Sequence, residues 1–286
     1  MSLVDQAGNV RQGEELDSTV IKEYFKQVMP DISGDIAITQ FPGGASNLTY
    51  QVSIDKQDFI LRRPPFGNIA KSAHDMLREA KIIDALKPVY PYVPKIISMC
   101  DDHSILGCDF YVMEKLNGII PRQNMPKELT LDKTQTRALC LSVLDKLIEL
   151  HNVDIQATGL DSLGKGAGYV ERQIIGWSDR YVKAKTGDAT DFDEVMNWLK
   201  NNMPQDCGQS LIHNDFRFDN VVLNADDPLE VIGVLDWEMA TVGDPLMDLG
   251  NSLAYWVEAG DEPQFQMMRR QPTHLAGMLS RQEVID

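Results

Sequence analysis

Three side chains in one stretch of this 286-residue sequence have the types and spacing to do chemistry together: Asp215, Asn220 and Asp236. They lie in LIHNDFRFDNVVLNADDPLEVIGVLDWEMATVGDPLMDLG, residues 211–250. Residues 221–223 and 231–235 are apolar β-forming runs, and NADDP between them supplies turn chemistry. Residues equidistant from a hairpin turn face each other. The midpoint of 220 and 236 is 228, at the edge of that turn, so Asn220 and Asp236 are expected side by side at the open end. An amide oxygen and a carboxylate brought together there are hard ligands suited to Mg²⁺. Asp215 stands five residues before Asn220, on a loop entering the same hairpin, where its carboxylate can serve as a base. A lone D-x-x-x-x-N means little in an acidic chain. The combination of H-x-D-x-x-x-x-N, a short hairpin, and Asp before Trp–Glu is far more specific.

These residues need elements to position them. Residues 18–29 carry a helical apolar stripe, Val20, Ile21, Tyr24, Phe25 and Val28, with Asp17 or Ser18 as cap and Pro30 beyond the end. The period then changes to two: Ile36 and Ile38, then Tyr50, Val52 and Ile54, then DFILRR at 58–63 read as three strands. FPGGASN joins the first two and DKQD the next, an antiparallel meander with a glycine loop at its first corner. Residues 72–86 read as a helix, and 95–99 and 110–113 as two more strands. Residues 36–113 therefore read β-β-β-α-β-β, and EKLNG at 114–118 reads as a connector. The remainder is mostly helical, with stripes at 134–150, 169–181 and 192–201. LSRQEVID opens a helix that stops short, which leaves either a truncated chain or a shorter variant.

Lys and Arg number 27 against 43 Asp and Glu, a formal net charge of −16. Such a field repels phosphate, so neither nucleic acid nor an anionic membrane is expected as a partner. Any phosphate-bearing ligand must be held by a local exception. No apolar run approaches the ~18 residues of a membrane span, and the polar N-terminus has no apolar region of a secretory leader. The four cysteines, Cys100, Cys108, Cys140 and Cys207, form no C-x-x-C pair, and read as reduced thiols of a cytoplasmic protein. Nothing specifies the oligomeric state.

With its motifs in this order, the sequence resembles the protein-kinase-like phosphotransferases. HNDFRFDN, VLDWEMATVGDP and DLG are similar to the aminoglycoside phosphotransferase and choline kinase group, and above all to the kinase-like domains fused to acyl-CoA dehydrogenases. The likeness spans about residues 20–260. It implies an α+β fold of two lobes, a small antiparallel-sheet lobe and a mainly helical one. Residues 1–17 would be a mobile arm, 18–115 the nucleotide-binding lobe, and 116–286 the catalytic and acceptor-binding lobe. The implied activity is transfer of the γ-phosphoryl of ATP, with Mg²⁺, to a hydroxyl of a small molecule.

By the same resemblance Asp215 is the catalytic aspartate, Asn220 and Asp236 hold the metal, and Arg217 takes the place of a lysine near the transferring phosphoryl. His213 and Asp248 would brace the loop. In the first lobe, Gly43 and Gly44 would let the backbone approach phosphates, with Ser46 and Asn47 as further donors. Arg62 stands where the family strand usually carries lysine; it keeps the charge and changes the geometry. Glu79 would be its ion-pair partner. Strand alternation sends Arg62 with Ile60 toward the cleft and Arg63 toward the outer surface. Met113, Glu114, Lys115 and Leu116 match the hinge that receives adenine.

The core motifs are silent about the acceptor. Arg172, Gln173, Trp177, Arg180 and Tyr181 in YVERQIIGWSDRY are the candidates for contacting it. The net charge permits a cationic amino sugar or amino alcohol, whereas the resemblance to dehydrogenase-linked domains suggests a hydroxylated acyl or other metabolite. Two other readings stand beside the kinase: a non-catalytic nucleotide-binding module, favoured by Arg62, and a metal-dependent phosphohydrolase using His213, Asp215, Asp236, Asp244 and Asp248.

Overall fold

The structure, a computed structural model, describes residues 6–42, 47–67 and 75–286. Helix α1 (Ser18–Val28) starts where the Asp17 carboxylate accepts from the amides of Thr19 and Val20. It buries Ile21, Tyr24 and Phe25 against one face of an antiparallel sheet. That sheet contains β1 (Ile36–Gln40), β2 (Leu48–Ile54), β3 (Gln57–Arg63), β4 (Ile96–Cys100) and β5 (Phe110–Glu114), in the order β1-β2-β3-β5-β4. Helix α2 (Met76–Leu86), capped by Asp75, covers the other face, and the single-turn α3 (His103–Leu106) precedes β5. Strand β3 is therefore buried on both sides. Phe59 and Leu61 join the cluster under α1, while Ile60 joins Met76, Ala80 and Ile83. The part of the expected helix at 72–74 lies outside the described residues.

The second lobe begins with β6 (Gly118–Ile119), then α4 (Lys133–His151), α5 (Tyr169–Ala184) and α6 (Asp193–Asn201). Strand β7 (Ser210–Ile212) leads to β8 (Val221–Asn224), β9 (Val231–Val234) and β10 (Thr241–Gly243). The chain closes with α7 (Pro245–Ala254), α8 (Pro263–Met268) and α9 (Arg281–Ile285). Helix α4 is set by a reciprocal cap between Asp132 and Gln135, and buries Leu139, Val143, Leu147 and Leu150. One apolar core runs from under α2 into this lobe. Tyr90 meets Trp237 edge-on at 6.0 Å, and the amide of Val234 donates to the carbonyl of Tyr92 at 2.6 Å. The two-lobe α+β expectation holds. Among the described residues no helix is long and apolar enough to cross a membrane.

Two expectations need correction. The described part of the N-terminal segment is tied to the sheet rather than free. Gly8 bridges Gln40 through paired backbone bonds, Gln40 donates to the Glu14 carboxylate, and the Tyr50 hydroxyl donates to the Glu14 carbonyl. In the β8–β9 hairpin Leu223 faces Val231, so the turn centres on Asp227 rather than Pro228, and a register shift between Val222 and Leu223 makes up only part of that offset. The amide of Leu235, not Asp236, donates to the carbonyl of Asn220, at 2.8 Å.

Candidate active site

The loop between β7 and β8 is held from beneath by one carboxylate. Asp248, fully buried on α7, accepts from the amides of His213 and Asn214, each at 2.8 Å, and pairs with His151 Nε2 at 3.0 Å. The His213 ring lies 3.0 Å from the Leu235 carbonyl through Nε2, while Nδ1 accepts from the amide of Asp215. Nε2 is thus the protonated nitrogen, and the ring joins the loop to the hairpin. Asp244 caps α7 by accepting from the amides of Leu246 and Met247. Asp244 is consumed in capping α7 and Asp248 in framing the loop, which removes two of the groups a phosphohydrolase reading needs. The described residues contain no group of three His, Cys, Asp or Glu side chains able to hold a metal among themselves.

Asp215 sits above this frame. Its Oδ2 accepts from Asn220 Nδ2 at 3.0 Å, and its Oδ1 lies 2.9 Å from Arg217. Burial pushes the Asp215 carboxyl up, against the pull of the Arg217 charge. Arg217 is shared: its Nε donates to Asp219 at 2.9 Å, and its guanidinium lies 4.7 Å from the centroid of the Tyr255 ring. The amide of Phe218 donates to Gln271 Oε1 and the Ser252 hydroxyl donates to the Phe216 carbonyl, so the loop is also held from the C-terminal side.

Asn220 Nδ2 donates to both the carbonyl and the carboxylate of Asp215. That fixes the amide so that its oxygen points away from Asp215. Asp236 adopts a left-handed conformation, φ 70°, which turns its side chain out of the hairpin after Leu235. Asn220 and Asp236 line the same cleft despite the shifted register. One amide oxygen and one carboxylate suit Mg²⁺, which takes few protein ligands and fills its shell from phosphate and water.

The cleft lies between the lobes. Ile60, Met113 and Leu116 form its upper wall, with Val222 and Leu235 below. Gly233 has no side chain because Leu116 packs where a Cβ would stand. At the polar end Arg62 donates to Glu79 at 2.6 Å and to Asp236 at 3.0 Å. Burial works against the Arg62 charge, and Glu79 and Asp236 more than offset it. Burial pushes the Glu79 carboxyl up to about 7, with Arg62 pulling it down and the nearby Asp236 and Glu238 carboxylates pushing it up. Arg62 points into the cleft as strand alternation requires. Arg63 does not reach an outer surface: it is buried, 3.8 Å from the Phe66 ring centroid, with Nε donating to the Pro64 carbonyl.

Other expected contacts resolve differently. Gly43, Gly44 and Ser46 lie outside the described residues. Asn47 is buried and donates its amide to Glu238 at 2.6 Å, bridging the lobes. Glu114 lines the cleft, but its carboxylate accepts from the Lys95 amide at 2.6 Å and its own amide donates to the Lys95 carbonyl. Gln173, Trp177 and Tyr181 line an apolar groove between α5 and α6 with Phe192, Met196 and Trp198. Arg172 instead donates to the carbonyls of Gly166 and Ala167, and Arg180 lies over the Trp177 ring. Sequence reasoning missed Asp219, Glu238 and Arg78. The first two flank named motif residues, and their neighbours' spacing was the available signal.

The model of the phosphotransferase enzyme family matches residues 37–283. Acyl-CoA dehydrogenase family member 10 of Mus musculus is 35% identical over 250 residues, covering 87% of this chain and 23% of that protein. Acyl-CoA dehydrogenase family member 11 of Homo sapiens is 36% identical over 251 residues, 85% of this chain and 31% of that protein. The chain thus spans about a quarter to a third of the length of these curated relatives. A crystal structure from Ralstonia eutropha, named provisionally as an aminoglycoside phosphotransferase, superposes with a TM-score of 0.77 at 28% identity, over 94% of this chain and 78% of that one. The aminoglycoside phosphotransferase APH(4)-Ia, in complex with ADP and hygromycin B, has a TM-score of 0.56 at 16% identity over 82% and 76%, a likeness of fold alone. The two-lobe arrangement is accordingly the protein-kinase-like fold.

Proposed function

Because this chain belongs to the phosphotransferase enzyme family, we propose that it moves the γ-phosphoryl of ATP to a hydroxyl of a small molecule. The observation that carries this reading is the meeting of Arg62, Asn220 and Asp236 at one end of a cleft, with Asp215 bonded to Asn220. The apolar walls suit a purine ring, and the lobes divide at the hinge after Glu114. A magnesium ion held by Asn220 and Asp236 would neutralise charge on the phosphates. Arg62 grips phosphate oxygens, and the Glu79 carboxylate keeps it in place. Asp215 orients the acceptor hydroxyl and takes its proton as the new P–O bond forms and the bond to ADP breaks. Arg217, between Asp215 and Asp219, lies where charge develops on the transferring group.

A second reading rests on one observation. Asp236, a proposed metal ligand, already accepts from Arg62, which fits a nucleotide-binding module without turnover. An ATP-consumption screen against amino alcohols, sugars, aminoglycosides and hydroxyacyl thioesters separates the two. Turnover with any acceptor supports the kinase. Nucleotide binding without turnover across the panel favours the module, and failure to bind nucleotide sinks both.

A further inference from the structure

Arg78 touches no part of the cleft, yet it is tied to the backbone that carries Asp236. One of its guanidinium nitrogens donates to the carbonyl of Glu238 at 3.2 Å, and the other to the carbonyl of Ala240. Both carbonyls belong to the tight turn Trp237–Met239 and its exit, immediately after Asp236. Asp236 itself is left-handed, a conformation unfavourable for a residue with a Cβ, which persists only where the surroundings over-determine it. Within the second lobe the turn is held by the Ala240 amide on the Trp237 carbonyl, by the Trp237 indole on the Val234 carbonyl, and by the Asn214 side-chain amide on the Met239 carbonyl. From the first lobe Asn47 holds the Glu238 side chain, and Arg78 holds the backbone of the turn.

Arg78 also precedes Glu79 on α2. The contacts therefore close a ring across the cleft: Asp236 to Arg62, Arg62 to Glu79, Glu79 along the helix to Arg78, and Arg78 to the turn after Asp236. Two of these links end on Arg62, which the cleft exposes to ligand. The Arg78 link ends on backbone alone. A guanidinium suits that task because its planar fork presents two donors to two carbonyls at once, and a backbone carbonyl, unlike a carboxylate side chain, neither titrates nor changes rotamer.

We propose that Arg78 is a positioning residue that holds Asp236 in its metal-binding conformation, an inference that rests on the phosphotransferase reading of the site. It acts through the backbone of residues 236–240, so its loss lets Asp236 leave the left-handed region and swing away from Asn220. Affinity for nucleotide with metal then falls, while affinity for nucleotide without metal, which depends on the cleft walls and Arg62, does not.

The test is calorimetric titration of the full chain with AMP-PNP, once with Mg²⁺ and once in EDTA, for wild type, Arg78→Ala and Arg78→Gln. Arg78→Ala is expected to weaken the Mg²⁺-dependent affinity about tenfold and to leave the EDTA affinity within about twofold, the scale of losing hydrogen bonds from a charged donor. Arg78→Gln keeps an amide donor for one carbonyl and is expected to lose about threefold with Mg²⁺. An unchanged Mg²⁺ affinity, or an equal fall in both affinities, overturns the inference. Should Arg78→Ala not fold, the same two affinities in Arg78→Gln decide by the same criteria. A wild-type protein that binds AMP-PNP no better with Mg²⁺ than without overturns the underlying reading as well, so the two failures are distinguishable.

Discussion

Arg62 and Glu79 meet at 2.6 Å in a place nearly closed to water, with Glu79 0% and Arg62 8% exposed. The pair joins the sheet to the helix packed on it. The other face of the guanidinium reaches across the cleft to Asp236, on the second lobe. One buried cation thus couples the two halves of the site, and Arg62 Nε, Glu79 Oε2 and the Tyr111 hydroxyl are buried there without hydrogen-bond partners. A ligand phosphate at this end of the cleft would meet an arginine that is charged and already aimed.

Removing that cation leaves Glu79 buried and unpaired, which typically costs about 3–5 kcal/mol. Arg62→Ala is expected to lower the denaturant midpoint by a corresponding amount and to weaken nucleotide binding. Arg63→Ala, on the opposite face under Phe66, is expected to lower stability through lost packing but to leave nucleotide affinity within about twofold. Denaturation and calorimetry on both variants check this. The reverse pattern would mean that Arg63 serves the ligand.

Asp215→Asn preserves size and removes the proposed base. Turnover is expected to fall by at least ~10²–10⁴-fold, with nucleotide affinity nearly intact, because Asp215 contacts the metal site only through Asn220. Steady-state rates and calorimetry on the variant are the measurement. Retention of most of the rate would remove Asp215 from the mechanism.

Asp236→Ala is expected to abolish the Mg²⁺-dependent part of nucleotide affinity, since it removes the one charged ligand of the proposed pair with Asn220. It also strips Arg62 of one carboxylate, leaving Glu79 at 2.6 Å and Glu238 at 4.0 Å. Binding in EDTA is expected to stay the same or strengthen. Unchanged Mg²⁺-dependent affinity in the variant would refute the pairing of Asn220 with Asp236.

Glu79 gives the fold a pH dependence with a definite sign. Its carboxyl rises from an ordinary 4.5 to about 7, so between those values the folded state keeps a proton that the unfolded state has released. Stability is therefore lost as pH rises from about 4.5 to 7, on the order of 3 kcal/mol in all, and changes little above that from this group. Urea midpoints measured across this range, for wild type and Glu79→Gln, test it. The variant should lack this part of the slope. Equal slopes in both proteins would show that Glu79 titrates normally.

Much of the candidate site's geometry was legible because its residues are local in sequence. Asp215, Arg217 and Asn220 lie within one loop, and the hairpin that follows is announced by two apolar runs around NADDP. Period-two alternation in β3 sent Arg62 to the cleft with Ile60, a consequence of strand geometry alone. The turn centres on Asp227 rather than Pro228, which alone would set Asn220 opposite Val234, and a β-bulge then moves its partner to Leu235, one short of Asp236; neither the centre nor the bulge can be read from two apolar runs. Tertiary structure alone decided what no spacing encodes: that Asn47 bridges to Glu238, that Gln271 holds Phe218, and that Arg78 grips the turn after Asp236. These partners lie 191, 53 and 160 residues apart, and their contacts exist only because lobe packing brings a donor to a particular buried carbonyl or carboxylate.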